Sequence, residues 1–128
     1  MSRILLLETD KVVAANIGGL LEANGHKVDW QVDPQEAIIS IDVQPVNLII
    51  TELILAGRSG VEFLYELRSY PDWQDLPVII YTNVPAREVG LSAQGFEHLK
   101  IKAYHHKPSA SVDTLLRTVE ACLSPTPA

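Results

Sequence analysis

NLIITELILAGRSG, residues 47–60, joins two different periodicities through one short loop. Leu48-Ile49-Ile50-Thr51 is an unbroken run rather than an alternation, the pattern of a parallel strand covered on both faces. It stops at Glu52. The stretch Leu53–Ser59 reads as loop, and after Gly60 the apolar positions Phe63, Leu64 and Leu67 mark one face of a helix reaching about Ser69. The unit is a buried strand, an acid at its carboxyl end, a loop and an amphipathic helix.

The same unit recurs on either side. Upstream, Ile4–Leu7 is a second unbroken apolar run, ending at Glu8. Val13, Ile17, Leu20 and Leu21 follow at i, i+4, i+7 and i+8, with Asp10 as the expected N-cap and Asn24-Gly25 as the stop. Gly18-Gly19 inside that helix costs about 1 kcal/mol per glycine relative to alanine, and close packing on the sheet is the simplest reason for it. His26–Val32 alternates as a strand, and Asp33-Pro34 opens a short helix with proline at its first position. Downstream, Pro71–Leu76 reads as loop and Val78–Tyr81 as a fourth strand ending at Thr82. The stretch 83–100 holds a helix interrupted or ended near Gly90 or Gly95. Ala103–His106 reads as a fifth strand closed by Lys107-Pro108, and Val112, Leu115, Leu116, Val119 and Cys122 mark a last helix. One domain over 1–123 is expected, with 124–128 as a tail or the start of a linker.

Strand and helix alternate five times, which predicts an α/β fold: a doubly wound parallel sheet with right-handed crossovers and helices on both faces. The 128 residues suffice for one hydrophobic core. The formal net charge is −6 with dispersed acids, which argues against nucleic acid or an anionic membrane as a partner. The single cysteine, Cys122, permits no internal disulfide. Ile4–Leu7 is too short for a signal peptide or a membrane span, so a cytoplasmic protein is expected. In doubly wound folds the functional crevice lies beyond the carboxyl ends of the strands. That rule selects Glu8, Thr9, Glu52, Thr82 and Lys107.

These segments together carry a resemblance. ILLLETD (4–10), NLIITELILAGRSG (47–60), PVIIYTN (77–83) and YHHKP (104–108) resemble, in order and spacing, the receiver domain of response regulators from two-component phosphorelay signalling. The resemblance spans Arg3 to Leu123. It implies a five-stranded sheet in the order 2-1-3-4-5 and a site where Mg²⁺ and a lysine position a phosphoryl group on an aspartate. Carried over residue by residue, Glu8 matches the first acid of the family's acidic pair, while Thr9 stands where the second acid would be. Glu52 stands at the phosphoacceptor aspartate. Thr82, Tyr104 and Lys107 match the phosphate-sensing and switch positions, and the bond before Pro108 is implied to be cis, aiming Lys107 at Glu52. The segment between Thr82 and Lys107 is a few residues longer than the family's, and Lys100–Ala103 lacks its small-residue turn.

The departures at Thr9 and Glu52 set the functional expectation. An extra methylene moves the carboxylate by roughly 1.5 Å, and a misplacement of about 1 Å can cost about 100-fold in a positioned reaction. Mg²⁺ is expected to bind weakly or not at all, with no other cofactor and no enzymatic activity. The expected protein is a stand-alone receiver-like domain acting by protein–protein interaction. Its partners would be a sensor kinase or a downstream effector, or a second copy through the face of the fourth helix, fifth strand and fifth helix. A phosphorylation-competent response regulator is the alternative. A flavodoxin-like ligand binder is a third reading, against which stands the absence of a phosphate-cradling loop at Glu8-Thr9-Asp10. Glu52 reads either as a partial mimic of the phosphorylated state or as a carboxylate neutralised by Lys107. Tyr104 reads as a rotating switch or as a packed edge tyrosine. Asp10 is expected as an N-cap rather than a replacement acid. Of His105 and His106, which point to opposite faces, one is expected buried and one exposed.

Overall fold

A computed structural model describes residues 2–124. Ten principal elements alternate: β1 (Arg3–Leu7), α1 (Lys11–Ala23), β2 (Lys27–Gln31), α2 (Pro34–Val43), β3 (Leu48–Thr51), α3 (Gly60–Ser69), β4 (Val78–Thr82), α4 (Ala93–His98), β5 (Ile101–His106) and α5 (Val112–Leu123). The sheet is parallel, in the order β2-β1-β3-β4-β5. Part of the expected tail, residues 125–128, lies outside the described residues.

Period-two alternation within the apolar runs builds two core layers. Leu5, Leu7, Ile49 and Ile80 face one side and pack with Ile41, Phe63, Leu64 and Leu67 from α2 and α3. Ile4, Leu6, Leu48, Ile50 and Ile79 face the other and pack with Ile17, Leu21, Leu115 and Val119 from α1 and α5. Every residue of β3 and β4 is buried, which is why those strands carry no polar alternation. The expected caps form: the Asp10 carboxylate accepts from the Val12 and Val13 amides, and that of Asp33 from the Gln35 amide.

Four expectations are corrected. Among the described residues no peptide bond is cis, so Lys107–Pro108 is trans. The ordinary trans preference before proline already suffices to close β5 there. The fifth strand starts at Ile101 rather than Ala103, because Val78 pairs with Ile101 and Ile79 with Ala103, leaving the exposed Lys102 as an extra residue in a bulge. Neither His105 nor His106 is fully buried or fully exposed. His105 reaches Thr118 of α5, while His106 turns to the Asn83 carbonyl, so the opposite-face reading holds but the burial contrast does not. Gly18 lies under β2 with room to spare: a Cβ there would meet Val28 Cγ1 at 3.9 Å, and one at Gly19 would meet nothing within 4 Å. Close packing therefore does not require either glycine.

The stretch after β4 forms a 3₁₀ turn at Ala86–Glu88, breaks at Gly90 (φ +82°), and resumes as the six-residue α4 capped by Ser92. No residue of α4 itself is buried. The segment is anchored by Leu99, at 0% exposure, and by Phe96 against the core.

Candidate functional site: a closed carboxylate–lysine pocket

Each ladder runs one residue past its strand and delivers an acid to the same edge. The Glu8 amide donates to the Gln31 carbonyl at 3.1 Å, and the Glu52 amide to the Leu7 carbonyl at 2.9 Å. From the other side the Lys107 amide donates to the Thr82 carbonyl at 2.7 Å. Glu8, Glu52, Thr82 and Lys107 therefore converge. Glu8 is 2% exposed, Glu52 4% and Thr82 0%.

The Lys107 ammonium lies 2.7 Å from Glu8 Oε1 and 2.7 Å from Glu52 Oε2, so it bridges both acids. The remaining oxygens are also taken. Glu8 Oε2 accepts from the Asp10 amide at 3.0 Å. Glu52 Oε1 accepts from the Leu53 amide at 2.8 Å, the Ile54 amide at 3.2 Å and the Thr82 hydroxyl. Burial by itself pushes the Lys107 ammonium down. The hydrogen bonds and charges of Glu52 and Glu8 outweigh it and hold the group above the usual lysine value.

The contacts continue outward from Thr82. Its hydroxyl accepts from the Val84 amide at 3.2 Å, and the Val84 carbonyl accepts from the Tyr104 hydroxyl. The Tyr104 ring packs edge-on against Phe96 with centroids 5.9 Å apart. Desolvation, followed by the charges of Glu52 and Glu88, pushes the phenol up to about 12. Lys107, Glu52, Thr82, Val84 and Tyr104 thus form one hydrogen-bonded path from the pocket to β5 and α4.

Five of the selected residues come together: Glu8, Glu52, Thr82, Lys107 and, one step out, Tyr104. Thr9 does not join them and is exposed. Asp10 is engaged as a cap and does not replace it. Pro108 is exposed beyond the site.

Two contributors were not singled out from the sequence. Trp30 donates its indole N–H to the Glu8 carbonyl at 2.8 Å, bracing the β1 end. Gly60 lets α3 begin directly beneath the acid's loop: a Cβ there would stand 2.5 Å from the Glu52 carbonyl oxygen and 2.7 Å from Leu53 Cα. The glycine at the loop's end was the available signal; nothing in the sequence around Trp30 pointed to its role.

The family model of the response regulator receiver domain matches residues 4–118. Among curated relatives, the response regulator MprA of Mycolicibacterium vanbaalenii is 29% identical over 118 residues, 90% of this chain and 48% of MprA. A gliding motility regulatory protein of Myxococcus xanthus is 29% identical over 86 residues, 67% of this chain and 11% of that protein. The chain thus spans less than half the length of these relatives. Among solved structures, the chemotaxis response regulator CheY4 of Vibrio cholerae superposes with a TM-score of 0.83 at 20% identity, over 96% of this chain and 99% of that one. The HemR receiver domain of Leptospira biflexa, in its non-phosphorylated form, gives 0.83 at 25% identity over 100% and 98%. A match over residues 4–118, on a five-stranded parallel sheet in the order β2-β1-β3-β4-β5, places the chain in the response regulator receiver domain family of two-component signalling.

Proposed function

We propose that this chain is a receiver module whose phosphoacceptor pocket is closed by its own glutamate, so that it signals through protein contacts rather than by taking up phosphate. The observation that carries the reading is the double occupancy of Lys107 and Thr82. The cation and hydroxyl available to hold a phosphoryl group are both already held by Glu52. Glu52 supplies one negative charge where a phosphoryl group supplies about 1.5 to 2, and it does so permanently.

The donor set is also a poor fit to Mg²⁺. That ion requires oxygen ligands in near-octahedral geometry. Here an ammonium bridges Glu8 and Glu52, the neutral Thr9 faces solvent, and every oxygen of both acids already has a partner. Thr9 and Glu52 together remove one carboxylate and displace another. The path from Glu52 through Thr82 and Val84 to Tyr104 favours the mimic reading of Glu52 over simple neutralisation, because it ties the acid to the α4–β5–α5 surface. That surface is the proposed contact for a sensor kinase, a downstream effector or a second copy. No helix among the described residues is long and apolar enough to cross a membrane, and a cytoplasmic location accords with the signalling role.

The test is repair. Thr9→Asp restores the missing acid and Glu52→Asp withdraws the carboxylate by one methylene. The double variant is expected to gain Mg²⁺ binding and reactivity with acetyl phosphate. Each single variant should gain much less, because metal and nucleophile act on one phosphoryl group. A folded double variant that stays inert, or a wild-type protein that reacts equally well, overturns the assignment of the defect to these two positions.

A further inference from the structure

α2 carries two apolar faces, and the fold uses only one of them. Ala37, Ile38 and Ile41 are buried against the sheet, whereas Ile39 and Val43, four residues apart on the outer face, are 49% and 80% exposed. Across from them Tyr70, at the end of α3, is 39% exposed, and Trp73 follows in the 3₁₀ turn Pro71–Trp73. Between these walls lies a groove of about 360 Å³. It adjoins a second hollow of about 320 Å³ that shares Asp42, Asp72 and Trp73 and extends toward the start of β4. This volume accommodates a large side chain with its neighbours. Three of the chain's exposed large apolar side chains are thus gathered in one place, which scattered surface residues do not do.

The charge around the groove has one sign. Asp42 and Asp72 line both hollows and are exposed, and no lysine, arginine or histidine lines either one. Neither carboxylate has an ion-pair partner among the described residues. The groove is also remote in topology from the phosphoacceptor edge. It is built where α2 and α3 return to the amino ends of β3 and β4, while Glu8, Glu52 and Lys107 lie beyond the carboxyl ends.

We propose that this groove is a docking site for a peptide segment of a partner protein. The segment would present a large apolar side chain between Val43 and Tyr70, flanked by lysine or arginine placed to meet Asp42 and Asp72. The apolar walls supply the desolvated centre and the two carboxylates a charged rim that selects the register. The site is independent of the closed pocket, so one module can hold a partner here while its α4–β5–α5 face engages another.

Short random peptides displayed on phage, panned against the full chain, test this directly. Enriched sequences are expected to combine an aromatic or aliphatic residue with lysine or arginine. Their synthetic forms should bind about tenfold or more weakly to Val43→Glu, a loss on the scale of a central contact. Val43 is mostly exposed, so this variant is expected to fold, and its thermal melt provides the control. Asp42→Lys with Asp72→Lys should reverse the charge preference of the enriched pool. The proposal is overturned by no enrichment, by enriched peptides without basic residues, or by unchanged affinity in Val43→Glu. It is equally overturned if sedimentation shows a dimer that Val43→Glu dissolves, which would assign the groove to a second copy.

Discussion

Lys107 sets one ammonium against two carboxylates that are almost wholly removed from water. Replacing it with methionine keeps the unbranched stem, one atom shorter, but leaves Glu8 and Glu52 buried without a counter-charge. Breaking a buried pair in this one-sided way costs roughly 3–5 kcal/mol, and a urea titration of Lys107→Met should show a loss of that order. Tyr104 adds a pH dependence to the stability of the fold. Its phenol is pushed up to about 12, against about 10 in an unfolded chain, so the folded state holds its proton more tightly. The stabilisation is complete below about pH 10 and is lost as the pH rises toward 12. Lys107, also raised, acts in the same direction in the alkaline range. Urea midpoints should therefore fall above about pH 10, and Tyr104→Phe should make that fall shallower. An equally steep decline in the variant contradicts the assignment.

Among the elements, α4 is held less by its own helix than by what grips its end. The buried Arg68 guanidinium of α3 donates to the carbonyls of Leu99 at 2.9 Å, Trp73 at 2.7 Å and Lys100 at 3.4 Å. It thus ties α3, the turn before β4 and the α4–β5 junction, where Lys100 adopts φ +55°. Arg68→Leu retains bulk but strands those carbonyls. It should cost about 2–3 kcal/mol by urea titration, with the largest amide chemical-shift changes at residues 99–101 rather than at Glu52. This part of the chain was the least legible in the sequence. The apolar runs of β1, β3 and β4 announce themselves because both faces of each strand are covered. α4 has six residues, none of them buried, and is flanked by Gly90, so no periodicity accumulates. The start of β5 was missed because Lys102 sits in a bulge and interrupts the pattern a regular strand would show. Arg68, one polar residue at the end of an amphipathic helix, gave no hint that it was an internal staple.

At the scale of the whole molecule, parallel topology gathers residues nearly a hundred positions apart, Glu8 and Lys107, at one edge and leaves the opposite pole free for the acidic-rimmed groove. The members of the pocket were legible from that topology alone, because strand ends are countable in the sequence. Their state was not. That Glu52 takes the Thr82 hydroxyl and shares Lys107 with Glu8 depends on about one methylene of reach, which no residue pattern encodes. The Lys107–Pro108 bond makes the same point: the ammonium reaches Glu52 as expected, but by a trans peptide. Whether the pocket is closed by its own carboxylate is read from the intact mass of the wild-type chain after incubation with Mg²⁺ and acetyl phosphate. The expected result is an unmodified mass. A species heavier by one phosphoryl group, absent when Glu52→Gln is treated in the same way, contradicts the account.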